Sequence, residues 1–325
     1  MTADRHISVL REEAVRALAP ERGGVFIDAT FGAGGYSMAL LENGASHVLG
    51  IDRDPSAINE AQECISLSHG RLQLVQGNFS ELHELAVKNA AHPADGIAFD
   101  FGVSSMQLDR PQRGFSLKSD GPLDMRMGQN GPSAADFLNT AEEREIARVI
   151  RQYGEEPRAN RIAKKIIECR KSAPLTRTSQ LADVVLTAIG RRPDARTHPA
   201  TRTFQAIRIH VNDELGEIER GLRAAEKTLR PGGRLAVVSF HSLEDRLVKK
   251  FLRARSGLVP MASRHDPRAL SHDRKTPSFR LLSRRPTLPS ETEVAFNARA
   301  RSAKLRAAER LDSPIYYETN VGEAA

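Results

Sequence analysis

Cysteine is nearly absent from this chain. Cys64 and Cys169 are the two cysteines in 325 residues, far apart and without histidines at ligand spacing, which excludes a disulfide framework and indicates no metal site. Long apolar runs are missing too. Stretches such as Leu235 to Val238 are far too short to cross a membrane, and the opening MTADRHISVLREE has no apolar run of signal-peptide length. A cytoplasmic protein with no membrane partner is expected. Acidic charge is scarce in one region. Between Arg246 and Arg310 stand 17 Lys+Arg and 5 Asp+Glu, so this segment more than accounts for the net charge of +7. A concentrated basic segment suits a phosphate-rich partner, and a solvated surface is the competing reading.

One further absence decides between cofactors. Residues Val25 to Asp54, VFIDATFGAGGYSMALLENGASHVLGIDRD, hold two short apolar runs that each end in an aspartate, with a glycine turn and a helical segment between them. This is a β-α-β unit. Gly32, Gly34 and Gly35 follow the first strand, where missing Cβ atoms let a ligand approach the backbone. Asp52 ends the second strand, placed to accept hydrogen bonds from two ribose hydroxyls. A dinucleotide turn, G-x-G-x-x-G, needs glycine at position 37, and Ser37 stands there, which disfavours NAD. Asp28 suits an ammonium group, which S-adenosylmethionine carries and NAD lacks. The glycines taken alone are equally consistent with a tight turn between a core strand and a helix.

Along the chain, apolar spacing predicts a helix within 6–19, a second helix from Pro55 through Ile65, and a third strand, Leu72 to Val75. That strand leads to Phe79, a candidate to lie against an adenine ring, with a core phenylalanine as the alternative. A fourth strand, Gly96 to Phe99, runs into Asp100. Asp28, Asp52, Phe79 and Asp100 thus fall at four successive strand ends, where open parallel sheets bind ligands. A long polar loop follows, Met106 to Gly131, of a length usually functional or mobile. From Ser133 to Gly190 the pattern predicts three helices and no strand, the first opened by a capping pattern at Thr140–Glu143. The exit, Gly190 to Thr203, carries Arg191, Arg192 and Arg202 and reads as a linker or a phosphate-contacting loop. One long helix is expected from Phe204 to Leu229, stopped at Pro231-Gly232-Gly233, and then a fifth strand delivering His241 to the same edge.

The motifs DATFGAGGYS (28–37), GIDRDPSA (50–57), FDFGVSSMQLD (99–109), RGFS with GPLDMRM (113–127), RTFQAIRIHVNDEL (202–215), PGGRLAVVSFHSLEDR (231–246) and ARARSAKLR (298–306) resemble the bacterial 16S ribosomal RNA cytosine-N4 methyltransferase family, RsmH or MraW. The resemblance covers nearly the whole chain. It implies a mixed α/β fold: a Rossmann-like class I methyltransferase sheet with an inserted all-helical subdomain. Residues 1–110 would form the first part of the core and 111–203 the substrate-recognition insert. Residues 204–311 would complete the core with its basic RNA-binding segment, and 312–325 would be a flexible tail. The implied cofactor is S-adenosylmethionine, the partner 16S rRNA, within the small ribosomal subunit, and the target a decoding-centre cytidine. The family's cofactor contacts fall on Gly34, Gly35, Tyr36, Asp52, Phe79, Asp100 and Gln107. Two positions depart from the family: Tyr36 stands where most members have histidine, and Met106 where most have proline.

Many amino-methyltransferases place an Asp/Asn/Ser-Pro-Pro-aromatic motif after the fourth strand, and this chain has Asp100-Phe101-Gly102-Val103 instead. Asp100 is the candidate acceptor for the cytosine amine, with a purely cofactor-binding role as the alternative, and Asp124 and His241 are further candidates. Arg284 and Arg285, with the 190–203 arginines, are candidates to hold phosphates. Two other classes stay open: a methyltransferase of another RNA or a protein, and a non-catalytic RNA-binding protein. A serine hydrolase fits poorly, because Ser104 and Ser105 lack a G-x-S-x-G turn.

Overall fold

A computed structural model describes residues 8–128, 130–190, 197–258 and 276–315. The chain divides into two compact units, Met1–Gly102 with Glu217–Ala325, and Val103–Gly216. The insert so defined starts earlier and ends later than the expected 111–203.

In the first unit the apolar runs become strands because a parallel sheet is covered on both faces and tolerates near-continuous aliphatic sequence. They are β1 (Val25–Asp28), β2 (His47–Asp52), β3 (Leu72–Gln76), β4 (Ala94–Asp100), β5 (Leu229–Ser239), β6 (Phe279–Leu281) and β7 (Lys304–Arg310). Their order is β3-β2-β1-β4-β5-β7-β6; β1 to β5 pair in parallel, and β7 is antiparallel to both neighbours. This is the expected Rossmann-like sheet. Strand order reverses between β1 and β4, which opens a crevice at their carboxyl ends. The helices α1 (Arg11–Leu18), α2 (Gly35–Glu42), α3 (Pro55–Asn59), α4 (Gln62–Leu67) and α5 (Leu82–Lys88) precede the insert. Phe26, Leu40, Val48 and Val238 lie in one buried cluster with side chains of α1 and α2.

In the second unit come α6 (Ser105–Asp109), α7 (Ala134–Thr140), α8 (Glu143–Gly154), α9 (Ala159–Arg170), α10 (Thr178–Ile189) and α11 (Thr201–Val211). Its core is aliphatic: Ile146, Val149, Ile150, Ile162, Ile166 and Val185 among others. Back in the first unit, α12 (Glu214–Thr228), which starts at the boundary, leads to β5, and α13 (Ser242–Arg255) and α14 (Glu291–Phe296) follow. A buried ion pair ties this half together. Glu226 of α12 accepts from Arg255 Nε of α13 at 2.6 Å and from Ser278 Oγ at 2.5 Å, and Arg255 lies over the Phe251 ring.

Several expectations need correction. The long helix 204–229 is two helices, broken where Asp213 adopts φ +47°. Asn212 stands at the break: its Oδ1 accepts from Met127 N–H at 2.8 Å and its Nδ2 donates to the Met125 carbonyl at 2.7 Å, side-chain bonds of the kind that compete with helix continuation. Those bonds, with buried Leu123, Met125 and Met127, show that much of the 106–131 loop packs into the helical core rather than moving freely. Four helices, not three, fill 133–190. The overlooked one, α7, is capped by Ser133 and Asp136. Thr140 belongs to its last turn, donating to the Asp136 carbonyl, so α8 starts at Glu143 with Glu142 before it and no side-chain cap. The helix expected from Pro55 is the pair α3 and α4. Pro231-Gly232-Gly233 bulges within β5 between residues paired to Ala94 and Gly96. Strand β6 is only three residues long, and KLRAAER of β7 has helical composition; pairing to β5 and β6 makes it a strand.

Candidate active site

Each of β1, β2 and β4 ends in an aspartate at the same sheet edge, and the local structure explains how each is held. Asp28 is completely buried. Its Oδ2 accepts from Ser37 N–H at 3.1 Å and Ser37 Oγ at 2.7 Å, and its Oδ1 from Thr30 N–H at 3.3 Å. It therefore bolts the turn to the first turn of α2, and it has no exposed oxygen with which to meet a ligand ammonium group. Burial outweighs these hydrogen bonds and raises its pKa to about 6. Asp52 clips the other side: Oδ2 accepts from Gly32 N–H at 2.7 Å and Oδ1 from Asp54 N–H at 2.8 Å. It keeps some exposure, and burial raises it also to about 6.

Asp100 differs from both. Its backbone N–H donates to Thr30 Oγ1 at 2.7 Å, but its side-chain Oδ1 is buried with no hydrogen-bond partner among the described residues. Burial, with Asp28 and Glu244 nearby, holds its pKa well above the ordinary carboxylate range. An orphaned buried oxygen costs roughly 1–3 kcal/mol, so its persistence at a strand end marks a place where something else donates.

The glycine turn has a second reason for lacking side chains. Gly34 is left-handed, at φ +79°, and a Cβ there would meet Cys64 Sγ at 2.8 Å; a Cβ on Gly35 would meet Ser8 Oγ at 2.1 Å. Tight packing of the chain on itself, as much as ligand approach, fixes both. The N–H groups of Gly35 and Tyr36, in the first turn of α2, have no intrahelical acceptor. Tyr36 itself is 3% exposed, and its hydroxyl donates to the Val9 carbonyl. A cofactor contact at position 36 must then use the backbone, and the exchange of histidine for tyrosine serves the core. Phe79 is half-buried, 5.6 Å from Phe99 and 5.8 Å from Phe101 between ring centroids. It joins an aromatic cluster at the ends of β3 and β4, so it belongs to the packing and to the edge alike.

The sequence model of the MraW methylase family matches residues 3–311. The chain belongs to that family. A ribosomal RNA small subunit methyltransferase H of Methylorubrum populi is 54% identical over 312 residues, covering 95% of this chain and 88% of the relative. One from Paramagnetospirillum magneticum is 52% identical over 316 residues, covering 97% and 99%. Among solved structures, an rRNA methylase from Streptococcus thermophilus is 10% identical with a TM-score of 0.40, covering 93% and 94%, a likeness too loose to add to this. An MraW methylase takes its methyl group from S-adenosylmethionine. The residues present fit that donor: a hydroxyl-accepting carboxylate at Asp52, open helix amides above the turn, and the unpartnered Asp100 oxygen.

The other site candidates of this MraW methylase are placed elsewhere or engaged. Gln107 and Asp124 belong to the second unit. Gln107 is nearly buried and accepts from Ser104 N–H at 3.1 Å, completing the cap of α6. Asp124 is held by Arg126 through bonds of 2.9 Å and 2.7 Å; burial pushes its carboxyl up, but Arg126 outweighs this and keeps it below its ordinary value. His241 caps α13, its Nδ1 accepting from Glu244 N–H at 3.4 Å. Asp124 is committed to Arg126; His241 faces Glu244 with its other nitrogen as well, Nε2 standing 3.0 Å from Oε1, whereas the Asp100 oxygen ends a strand of the parallel sheet with no partner among the described residues. Arg202 is an exposed residue of α11, partly held by the Glu155 carbonyl at 3.2 Å. Arg284 and Arg285 are exposed in the turn after β6, while Arg191 and Arg192 lie outside the described residues. Sequence reading missed Thr30 and Glu244. Glu244 is fully buried, accepts from Phe240 N–H at 2.7 Å, and adds a third carboxyl beside Asp28 and Asp100. The spacing H-x-x-E before an apolar helix was its only signal.

A surface cavity of about 490 Å³ lies between α1 and the far end of α2, lined by Arg11, Glu12, Arg16 and Glu42. It is remote from the aspartates and has no convergent chemistry. Among the described residues, no helix is long and apolar enough to cross a membrane.

Proposed function

We propose that this MraW methylase transfers the methyl group of S-adenosylmethionine to the exocyclic N4 amine of a cytidine in the decoding centre of 16S rRNA, acting in the cytoplasm on RNA of the small ribosomal subunit. The observation that carries this reading is the buried, unpartnered Asp100 oxygen at the point where strand order reverses. RNA as substrate is supported by the basic 246–310 segment and by the relatives' names, and cytosine N4 by the motifs FDFGVSSMQLD and FHSLEDR.

A cytosine amine is a poor nucleophile, because its lone pair is delocalised into the ring. When bound, S-adenosylmethionine supplies a sulfonium methyl open to in-line attack. Asp52 accepts from the ribose hydroxyls, and the first-turn amides of α2 point toward the same ligand. Asp100 accepts an N–H of the amine as its nitrogen pyramidalises, which aligns the lone pair and stabilises the developing positive charge. In its carboxylate form Asp100 also takes up the proton that the nitrogen loses after transfer. No covalent enzyme intermediate is needed.

The test is transfer of labelled methyl from S-adenosylmethionine to small subunits lacking the modification, followed by mapping of the labelled base. Label on the N4 of a single cytidine is expected. Label on another base or on a ribosomal protein would overturn the substrate.

A further inference from the structure

A second cavity, of about 310 Å³, lies on the first unit between α13 and the β6–β7 edge, away from the aspartates. Lys249 and Arg253 come from α13, Arg284 from the turn after β6, and Arg306 from β7; Leu252 and Leu281 supply apolar lining. On α13, residues 249, 252 and 253 are three and four apart and so share a face. Measured along that helix from its start at the strand edge, Lys249 and Arg253 stand about 10 and 16 Å away.

Four cations thus converge on one small space. Of these, Arg306 is paired: Asp245 accepts from its Nε at 2.7 Å and from Lys304 Nζ at 3.1 Å. Arg253 spends its Nε on the Leu258 carbonyl at 3.3 Å, leaving its terminal nitrogens for other partners. Among the described residues the lining stays strongly positive after this pairing. A solvated charged face would not need a concave apolar floor, yet Leu258, 40% exposed, and the half-buried Leu281 line this one. The volume falls at the small-ligand end of the usual range. Positive charge around an apolar floor is the complement of a nucleotide, with phosphate on the rim and base or ribose within. Duplex RNA offers phosphates but keeps its bases stacked, so an unpaired nucleotide is the form that fits.

We propose that this cavity holds one unpaired nucleotide of the substrate RNA, distinct from the nucleotide that is methylated. Lys249, Arg253 and Arg284 grip its phosphate, and Leu258 and Leu281 contact its base or ribose. The proposal rests on the reading of RNA as substrate. Its function would be to anchor the strand while the target base is turned toward the strand edge.

The full-length protein should be titrated with a fluorescein-labelled single-stranded RNA and with the same sequence as a duplex, over a series of salt concentrations. Lys249→Ala with Arg284→Ala is compared with Lys88→Ala with Lys227→Ala, which removes the same charge from exposed positions outside both the cavity and the basic 246–310 segment. The cavity pair should weaken single-strand binding at least about tenfold and lower the salt slope by about 1.4, with the control pair under about threefold. On small subunits, the cavity pair should raise KM by a similar factor and leave kcat within about twofold. Equal losses from both pairs, or equal losses on duplex and single strand, would overturn the cavity. The two readings fail separately: a wild type that binds RNA with this pattern but methylates none keeps the cavity and removes the proposed function, whereas normal methylation with an unchanged KM in the cavity pair does the reverse.

Discussion

The first unit buries carboxyls at the end of its sheet, while the second closes over aliphatic side chains and matches its buried acids with arginines. In the second unit Glu214 meets Arg208 Nε at 2.8 Å and Glu156 meets Arg158 at 3.5 Å. In the first, Asp28 and Asp100 have no ion-pair partner among the described residues, and burial raises both above the ordinary range. A fold under selection for stability alone would not keep such groups, since each unpaired buried carboxyl costs free energy that an apolar side chain would not. The Glu226–Arg255 pair shows that the first unit also pairs its acids where only structure is at stake. The contrast therefore supports the proposed reading of that edge as the working one, set apart from the scaffolding around it.

The largest expected effect tests that separation at its centre. Asp100→Asn should lower the single-turnover methyl-transfer rate about a thousandfold, the size associated with removing a transition-state hydrogen-bond partner, with a smaller change in cofactor affinity. Lost affinity with an intact saturated rate would make Asp100 a cofactor ligand only. In the second unit the cost should fall on stability instead. Ile150→Ala, at a fully buried position, should destabilise by about 3 kcal/mol in denaturant unfolding, while cofactor affinity at low temperature stays unchanged. A large affinity loss there would break the comparison.

Proton linkage gives a smaller effect. Asp52 accepts ribose hydroxyls best as a carboxylate, and its pKa in the free protein is about 6. Cofactor affinity should therefore fall as pH drops through 6, by up to about tenfold per unit, and level off above it; Asp52→Asn should bind weakly with that dependence removed. Stability has the opposite sign. With Asp28 and Asp52 raised to about 6, the folded chain keeps protons that the unfolded chain releases above about pH 4. Stability should decline as pH rises from about 4 to 6, which a melting series across that window would detect. The smallest effect concerns Tyr36→Phe, which should cost about 1 kcal/mol by stranding the Val9 carbonyl and leave cofactor affinity alone.

Composition, apolar runs and strand-end aspartates were enough to place the β-α-β opening, the five parallel strands and the helical insert, because those features depend on local periodicity and on residues close in sequence. The motifs then supplied the family. Tertiary structure decided what each polar side chain is occupied with. Asp28 and Asp52 look alike in sequence, yet one is sealed beneath Ser37 while the other keeps an open face, and Tyr36 turned into the core rather than toward a ligand. The break at Asn212 and the strand character of Lys304–Arg310 depend on partners about 80 and 70 residues away, Met125–Met127 and β5, and no local pattern encodes them. Hydrogen-bond satisfaction is a property of the folded whole, so the buried Asp100 oxygen, without a partner among the described residues, became visible only there.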